Sequence, residues 1–155
     1  MDPTRPLLES QAFPRAREPL LLPLWLLREM LGETGPDRTA ESCWLLRGGS
    51  DILGVRVDGA VRLPNRDPRP GRFEIAPEDF AAAEWKIRCA GSRWIGFAHS
   101  HPDGSARPSE ADVRAFWTGC VQLVIGIGPG PRARVGAYRS ENAGLEQFEI
   151  LWSDP

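Results

Sequence analysis

The sequence predicts an α+β domain, a curled mixed sheet flanked by helices, and three observations point that way. The chain has 155 residues, 41% of them hydrophobic, which is enough for one packed core and too little for two comfortable ones. Helix-type and strand-type hydrophobic spacings are interspersed without regular alternation. No internal repeat is visible.

Taken in order, residues 1–18 carry Pro3, Pro6, Pro14 and several charges without periodicity. They are read as a flexible arm, leaving residues 19–155 as the single domain. Leu24, Leu27, Arg28 and Leu31 have helical spacing, with Pro23 suited to the first turn and Gly32 or Gly35 to the end. Cys43 to Arg47 reads as a strand preceded by Glu41 and closed by Gly48 and Gly49. Ile52 to Leu63 reads as one or two more, with a turn available at Asp58-Gly59. Pro64 to Gly71 is a loop. Pro77, Glu78 and Asp79 open a helix to about Cys89, their acids placed where the helix dipole favours them. Trp94 to His101 is a strand running into a loop, and Ser109 starts a third helix. Val121 to Ile127 is an apolar central strand stopped by Pro129 and Pro131, and two more strands are expected near residues 134–139 and 146–151.

The net charge is -2, and the 18 Arg and one Lys are scattered, so no nucleic-acid footprint is visible. Cys43, Cys89 and Cys120 are an odd number at wide spacing, fitting neither a disulfide framework nor a paired zinc motif. They read as small buried hydrophobes in a reducing compartment. The most apolar run, Leu20 to Leu27, is broken by Pro23 and falls short of the roughly 20 residues a membrane span needs. Arg15, Arg17 and Glu18 precede it and no small-residue cleavage site follows, so no signal peptide is read. The expectation is a cytoplasmic protein without membrane or nucleic-acid partners.

The only two histidines stand two apart, His99-Ser100-His101, at the end of a strand. Residues i and i+2 of a strand share a face, so both imidazoles can reach one point. Asp112 lies in the first turn of the next helix, behind a loop containing Pro102, Asp103, Gly104 and Pro108 that can fold it back. Two imidazoles and a carboxylate are the three protein ligands typical of a catalytic zinc, which keeps its fourth position for water. Glu41 is the candidate general base. Ser109, three residues before Asp112, suits an N-cap, and its hydroxyl is also a candidate donor to a developing oxyanion. The same ligand set would serve a non-haem Fe(II) enzyme. A Ser-His-Asp triad through Ser100 or Ser105 lacks a nucleophile elbow and leaves one histidine unused.

At these residues the sequence resembles a known family. Gly96-Phe97-Ala98-His99-Ser100-His101-Pro102, followed by Pro108-Ser109-Glu110-Ala111-Asp112, resembles the JAMM (MPN-plus) motif. Glu41-Ser42-Cys43-Trp44-Leu45-Leu46-Arg47-Gly48 resembles the family's glutamate-bearing strand, and Leu63-Pro64-Asn65 its intervening segment. The match runs over roughly residues 19–151 and is of the compact prokaryotic type. The resemblance implies the MPN (cytidine-deaminase-like) fold, with zinc on His99, His101, Asp112 and a water. It implies Glu41 as base and acid, and Ser109 as the group steadying the tetrahedral intermediate. The substrate it implies is a ubiquitin-like or sulfur-carrier protein cut after its Gly-Gly tail, with an E1/E2-like conjugation system as a further partner. Relatives without the ligands are scaffolds, which leaves a non-catalytic module as an alternative. Asn65, Arg66, Arg69 and Arg72 are candidate substrate contacts. Trp44, where the family usually has Gly, is read either as a core residue or as a change in substrate approach.

Overall fold

The computed structural model describes residues 13–35, 39–67, 69–130, 132–142 and 144–154. In chain order these form β1 (Leu20–Pro23), α1 (Leu24–Gly32), β2 (Cys43–Asp51), β3 (Gly54–Leu63), α2 (Pro77–Cys89), β4 (Arg93–His101), α3 (Glu110–Ala115), β5 (Val121–Gly126), β6 (Arg134–Glu141), β7 (Gly144–Gln147) and β8 (Ile150–Ser153). The strands make one sheet in the order β7-β6-β5-β4-β2-β3-β1-β8. Pairing is parallel at β4–β5, β1–β3 and β1–β8 and antiparallel elsewhere. This is the expected α+β class. Strands β7 and β8 stand at opposite ends of that order, yet only Phe148 and Glu149 separate them in the chain. The sheet therefore curls until its two ends approach. The seam is stitched by backbone bonds from Ala16 N to Gln147 O, Gln147 N to Pro14 O and Leu20 N to Glu149 O.

The seam accounts for two departures from the sequence reading. The single strand expected near residues 146–151 is two strands, because Phe148 turns into the core and donates its N–H to Ala137 O. Leu20–Pro23, expected only as a lead into the first helix, is β1, with Leu20 and Leu22 fully buried between β3 and β8. Pro23 ends this strand and serves as the N-cap residue of α1. The hairpin turn also moves. It lies at Ile52-Leu53, where Asp51 Oδ1 accepts from Leu53 N at 2.8 Å and Gly54 takes a φ of +140°. Asp58 instead sits at a bulge, since Arg47 pairs Gly59 but Gly48 pairs Val57. Gly48 and Gly49, expected to close β2, lie inside it, and a side chain at 48 would strike the Arg56 carbonyl. Of the arm read for residues 1–18, residues 1–12 lie outside the described residues. Phe13 meets Tyr138 edge-on at 5.5 Å and Ala16 is buried.

Alternation along β2 separates two cores. Trp44 and Leu46 face one side with α1 (Leu26, Leu27, Met30), together with Ala98, Leu123 and Ile125. Cys43 and Leu45 face the other with Ala83 and Ile87 of α2. Strand β5 is buried along its whole length, as its position beside parallel β4 requires. Among the described residues no helix is long and apolar enough to cross a membrane.

Trp44, one of the candidate substrate contacts, is 0% exposed inside the first core, so it cannot reach a substrate. Its ring is capped by the Arg62 guanidinium at 4.9 Å. Trp44→Ala is expected to destabilise the fold by about 3–5 kcal/mol, the usual cost of emptying an aromatic core position. Denaturant unfolding checks this, and the variant that remains folded should still bind metal.

Candidate metal centre

Strand β4 delivers its odd-numbered residues to the face opposite α1, so Phe97, His99 and His101 line up while Ala98 and Ser100 point away. Alternation thus brings the two imidazoles together as the spacing predicts. His99 Nε2 lies 3.0 Å from His101 Nε2. Asp112, the third residue of α3, closes the triangle: its Oδ2 is 3.1 Å from His101 Nε2 and 3.2 Å from His99 Nε2. All three are buried. Four tetrahedral bonds of about 2.0–2.1 Å place ligand atoms roughly 3.3 Å apart. The three edges here fall within a few tenths of that, so these donors fit one small cation.

The loop between β4 and α3 sets the triangle. Ser109 is the N-cap of α3 in a reciprocal capping box: its Oγ accepts from Asp112 N at 3.1 Å, while Ser109 N donates to Asp112 Oδ2 at 2.7 Å. His101 Nδ1 lies 3.1 Å from Ser105 O. A carbonyl can only accept, so Nδ1 carries the proton and the Nε2 lone pair faces the triangle. His99 Nδ1 is buried with no hydrogen-bond partner among the described residues. Its ring is held by Phe73, stacked at 4.7 Å.

Glu41 stands just before β2 and is 4% exposed, with Oε1 3.9 Å from His101 Nε2 and Oε2 buried without a hydrogen-bond partner among the described residues. Two links hold it. Ser42 N donates to Ser100 Oγ at 2.8 Å, and Ser100 N donates back to Ser42 O at 2.9 Å. Asn65 Nδ2 donates to Glu41 O at 2.9 Å. Sequence reasoning weighed Ser100 and Ser105 only as nucleophiles and assigned no role to Ser42 or Phe73. Alternation turns Ser100 to the face opposite the two histidines, but its bond to Ser42 N depends on which strand lies alongside. The Phe73 stack and the Ser105 carbonyl depend on loop paths that no periodicity reports.

Burial pushes the Glu41 carboxyl up to about 7, against the pull of His99 and His101. Burial would also raise Asp112 and lower His99, but their mutual attraction and hydrogen bonds win: Asp112 is held well below the carboxylate range and His99 is raised. Both shifts favour the charged forms of the pair, so protons and a cation compete for the same donors. Because the folded Glu41 pKa lies above its unfolded value, the neutral acid stabilises the metal-free fold below about pH 4.5. That stabilisation is lost as pH rises through about 7. Chelated Glu41→Gln is therefore expected to be more stable than chelated wild type at pH 8, by about 3 kcal/mol, with the gap shrinking toward pH 5. Denaturant titrations at the two pH values check this.

Of the other candidate contacts, Asn65 organises the loop: beyond Glu41 it donates to Arg72 O, and its Oδ1 accepts from Asp67 N and Glu74 N. Arg66 forms a two-pronged pair with Asp79, and Arg69 another with the buried carboxylate of Asp67. Both guanidinium groups are thus engaged within the chain. Arg72 lines a hollow of about 320 Å³ with Ser109 and Asp112. A second hollow, of about 270 Å³, is lined by Glu41, His101 and Gly71.

Residues 25–139 match the family model described as prokaryotic homologs of the JAB domain. The chain belongs to this family. The prokaryotic JAB chain is 37% identical over 103 residues to a desampylase of Haloferax volcanii, covering 66% of this chain and 70% of that one. It is 34% identical over 113 residues to a probable metalloprotease of the same organism, covering 66% and 61%. The chain thus spans less than two thirds of that second relative. Among solved structures, a Desulfitobacterium hafniense protein superposes with a TM-score of 0.78 at 28% identity, covering 88% of this chain and 94% of that one. A Salinibacter ruber protein superposes with a TM-score of 0.63 at 26% identity, covering 87% and 92%. The prokaryotic JAB assignment agrees with the JAMM resemblance and with the curled mixed sheet.

Proposed function

We propose that this chain is a JAMM-type zinc isopeptidase that hydrolyses the bond after the C-terminal Gly-Gly tail of a ubiquitin-like or sulfur-carrier protein. The observation that carries the reading is the buried triangle of His99, His101 and Asp112 with an unpartnered Glu41 oxygen beside it. Relatives named desampylase and probable metalloprotease support it.

When bound, zinc polarises the scissile carbonyl and makes water acidic enough to attack at neutral pH. Glu41, tuned by burial to ionise near neutrality, removes a proton from the attacking water and passes it to the leaving amine as the C–N bond breaks. Ser109 Oγ already accepts from Asp112 N, so its own proton remains to donate to the oxyanion. Asp112 Oδ2 and the two Nε2 atoms are the ligands, and the Ser105 carbonyl keeps His101 in the ligating tautomer. The tail lies beside the loop of residues 65–73, its last carbonyl over the triangle, with Arg72 the guanidinium in reach of acidic groups on the modifier. Precursor processing, deconjugation and release of a C-terminal amino acid share this one step. An E1/E2-like conjugation system is the expected source of its substrates.

The test is incubation of the zinc-loaded protein with fusions of ubiquitin-like proteins, read by intact mass. Cleavage directly after the second glycine, abolished by chelation, is the expected result. Fusions left whole, or cut elsewhere, would refute the reading.

A further inference from the structure

Beside the metal centre lies an apolar groove that the reaction as described does not use. It encloses about 270 Å³ and is lined by Phe73, Ile75, Phe80, Phe97, Phe116 and Trp117. Trp117 lies 5.5 Å from Phe97 and 5.7 Å from both Phe80 and Trp94, ring centre to ring centre, so its indole is held within an aromatic cluster. Yet Trp117 is 52% exposed. A braced aromatic wall left open to water is the form of a binding surface.

The groove is continuous with the centre. Phe73 stacks on His99, borders the hollow that contains Ser109 and Asp112, and also lines the groove. The Phe116 ring lies 6.4 Å from the His99 ring. Glu41 lies 3.9 Å from His101 Nε2 and shares with His101 the second hollow, whose lining has no residue in common with the groove. The leaving amine must come to Glu41 to collect its proton, so the acyl half of the substrate extends toward His99 and the groove. Two extended glycines span about 7 Å. The first side chain able to enter the groove is therefore that of the residue preceding them.

We propose that this groove receives the side chain of the residue just before the two glycines of the modifier's tail and selects a large apolar one there. This rests on the isopeptidase reading above and adds a specificity element to it, with Trp117 as its outer wall.

The experiment measures peptide affinity for the zinc-loaded Glu41→Gln protein by calorimetry. One peptide set ends in Leu-Gly-Gly, Phe-Gly-Gly or Ala-Gly-Gly; a second places Leu or Ala after the glycines. The Leu and Phe peptides of the first set are expected to bind at least about 10-fold tighter than the Ala peptide, the scale of one buried apolar side chain. Trp117→Ala should reduce that preference below about 2-fold. Ala115→Trp, which fills the groove from its exposed rim without removing an aromatic wall, should do the same. Equal affinities throughout would overturn the proposal, as would a Leu preference that survives both changes or one confined to the second set. So would a changed oligomeric state in Trp117→Ala with peptide affinities unaltered, since the groove would then seat a second copy of the chain. Cleavage of the corresponding fusions by wild type separates the two readings. Selective binding without cleavage removes the isopeptidase and keeps the groove, whereas cleavage indifferent to the preceding residue removes only the groove.

Discussion

Glu41→Gln is expected to lower turnover of a cleavable fusion by about 10³-fold while leaving the metal in place. The glutamine is nearly isosteric and can keep the backbone bond from Asn65, so the hollow retains its shape. What disappears is a group that can both take and return a proton, a contribution typically worth 10²–10⁴-fold. Metal content by mass spectrometry should equal that of wild type, and KM should change little. Wild-type turnover should fall on acidification as Glu41 is protonated, because only the carboxylate accepts a proton. A variant turning over within a few fold of wild type would remove Glu41 from the reaction and favour the scaffold reading.

Removing one corner of the triangle should have the second large effect. His101→Ala is expected to abolish stoichiometric zinc binding and, with it, turnover, because two ligands of the three grouped among the described residues hold zinc poorly. Wild type should behave likewise when chelated and recover on adding zinc. Uptake should weaken on acidification, since His99 carries a raised pKa and must lose its proton to ligate. The readouts are metal stoichiometry and intact mass of the fusion. Iron at full occupancy with oxygen consumption would point instead to the facial-triad chemistry that the same donor set permits.

The centre was legible in the sequence because its parts obey local rules. Strand alternation aligns His99 with His101, and a helix N-cap fixes Ser109 relative to Asp112 three residues on. Neither rule needs the rest of the fold. What sequence could not supply was the far side of each side chain. Trp44 reads as a core residue or as a change in substrate approach until its strand is placed between α1 and α2. Arg66 and Arg69 look like surface charges offered to a partner until Asp79 and Asp67 are found beneath them. The split of residues 144–153 into two strands was hidden for the same reason. Their local composition suits one strand, and only their long-range partners, β6 on one side and β1 on the other, divide them.

The way the sheet meets itself bears on how this chain is made. The seam joins residues 14–23 to 147–153, and the ion pair from Arg139 to Glu18 alongside it spans 121 positions. Contacts so distant in sequence close slowly and late. While the polypeptide is being synthesised, β1 must wait with its outer edge unpaired until β8 has emerged. Chaperone dependence, and sensitivity to fusions or clipping after β7, should therefore concentrate at this join.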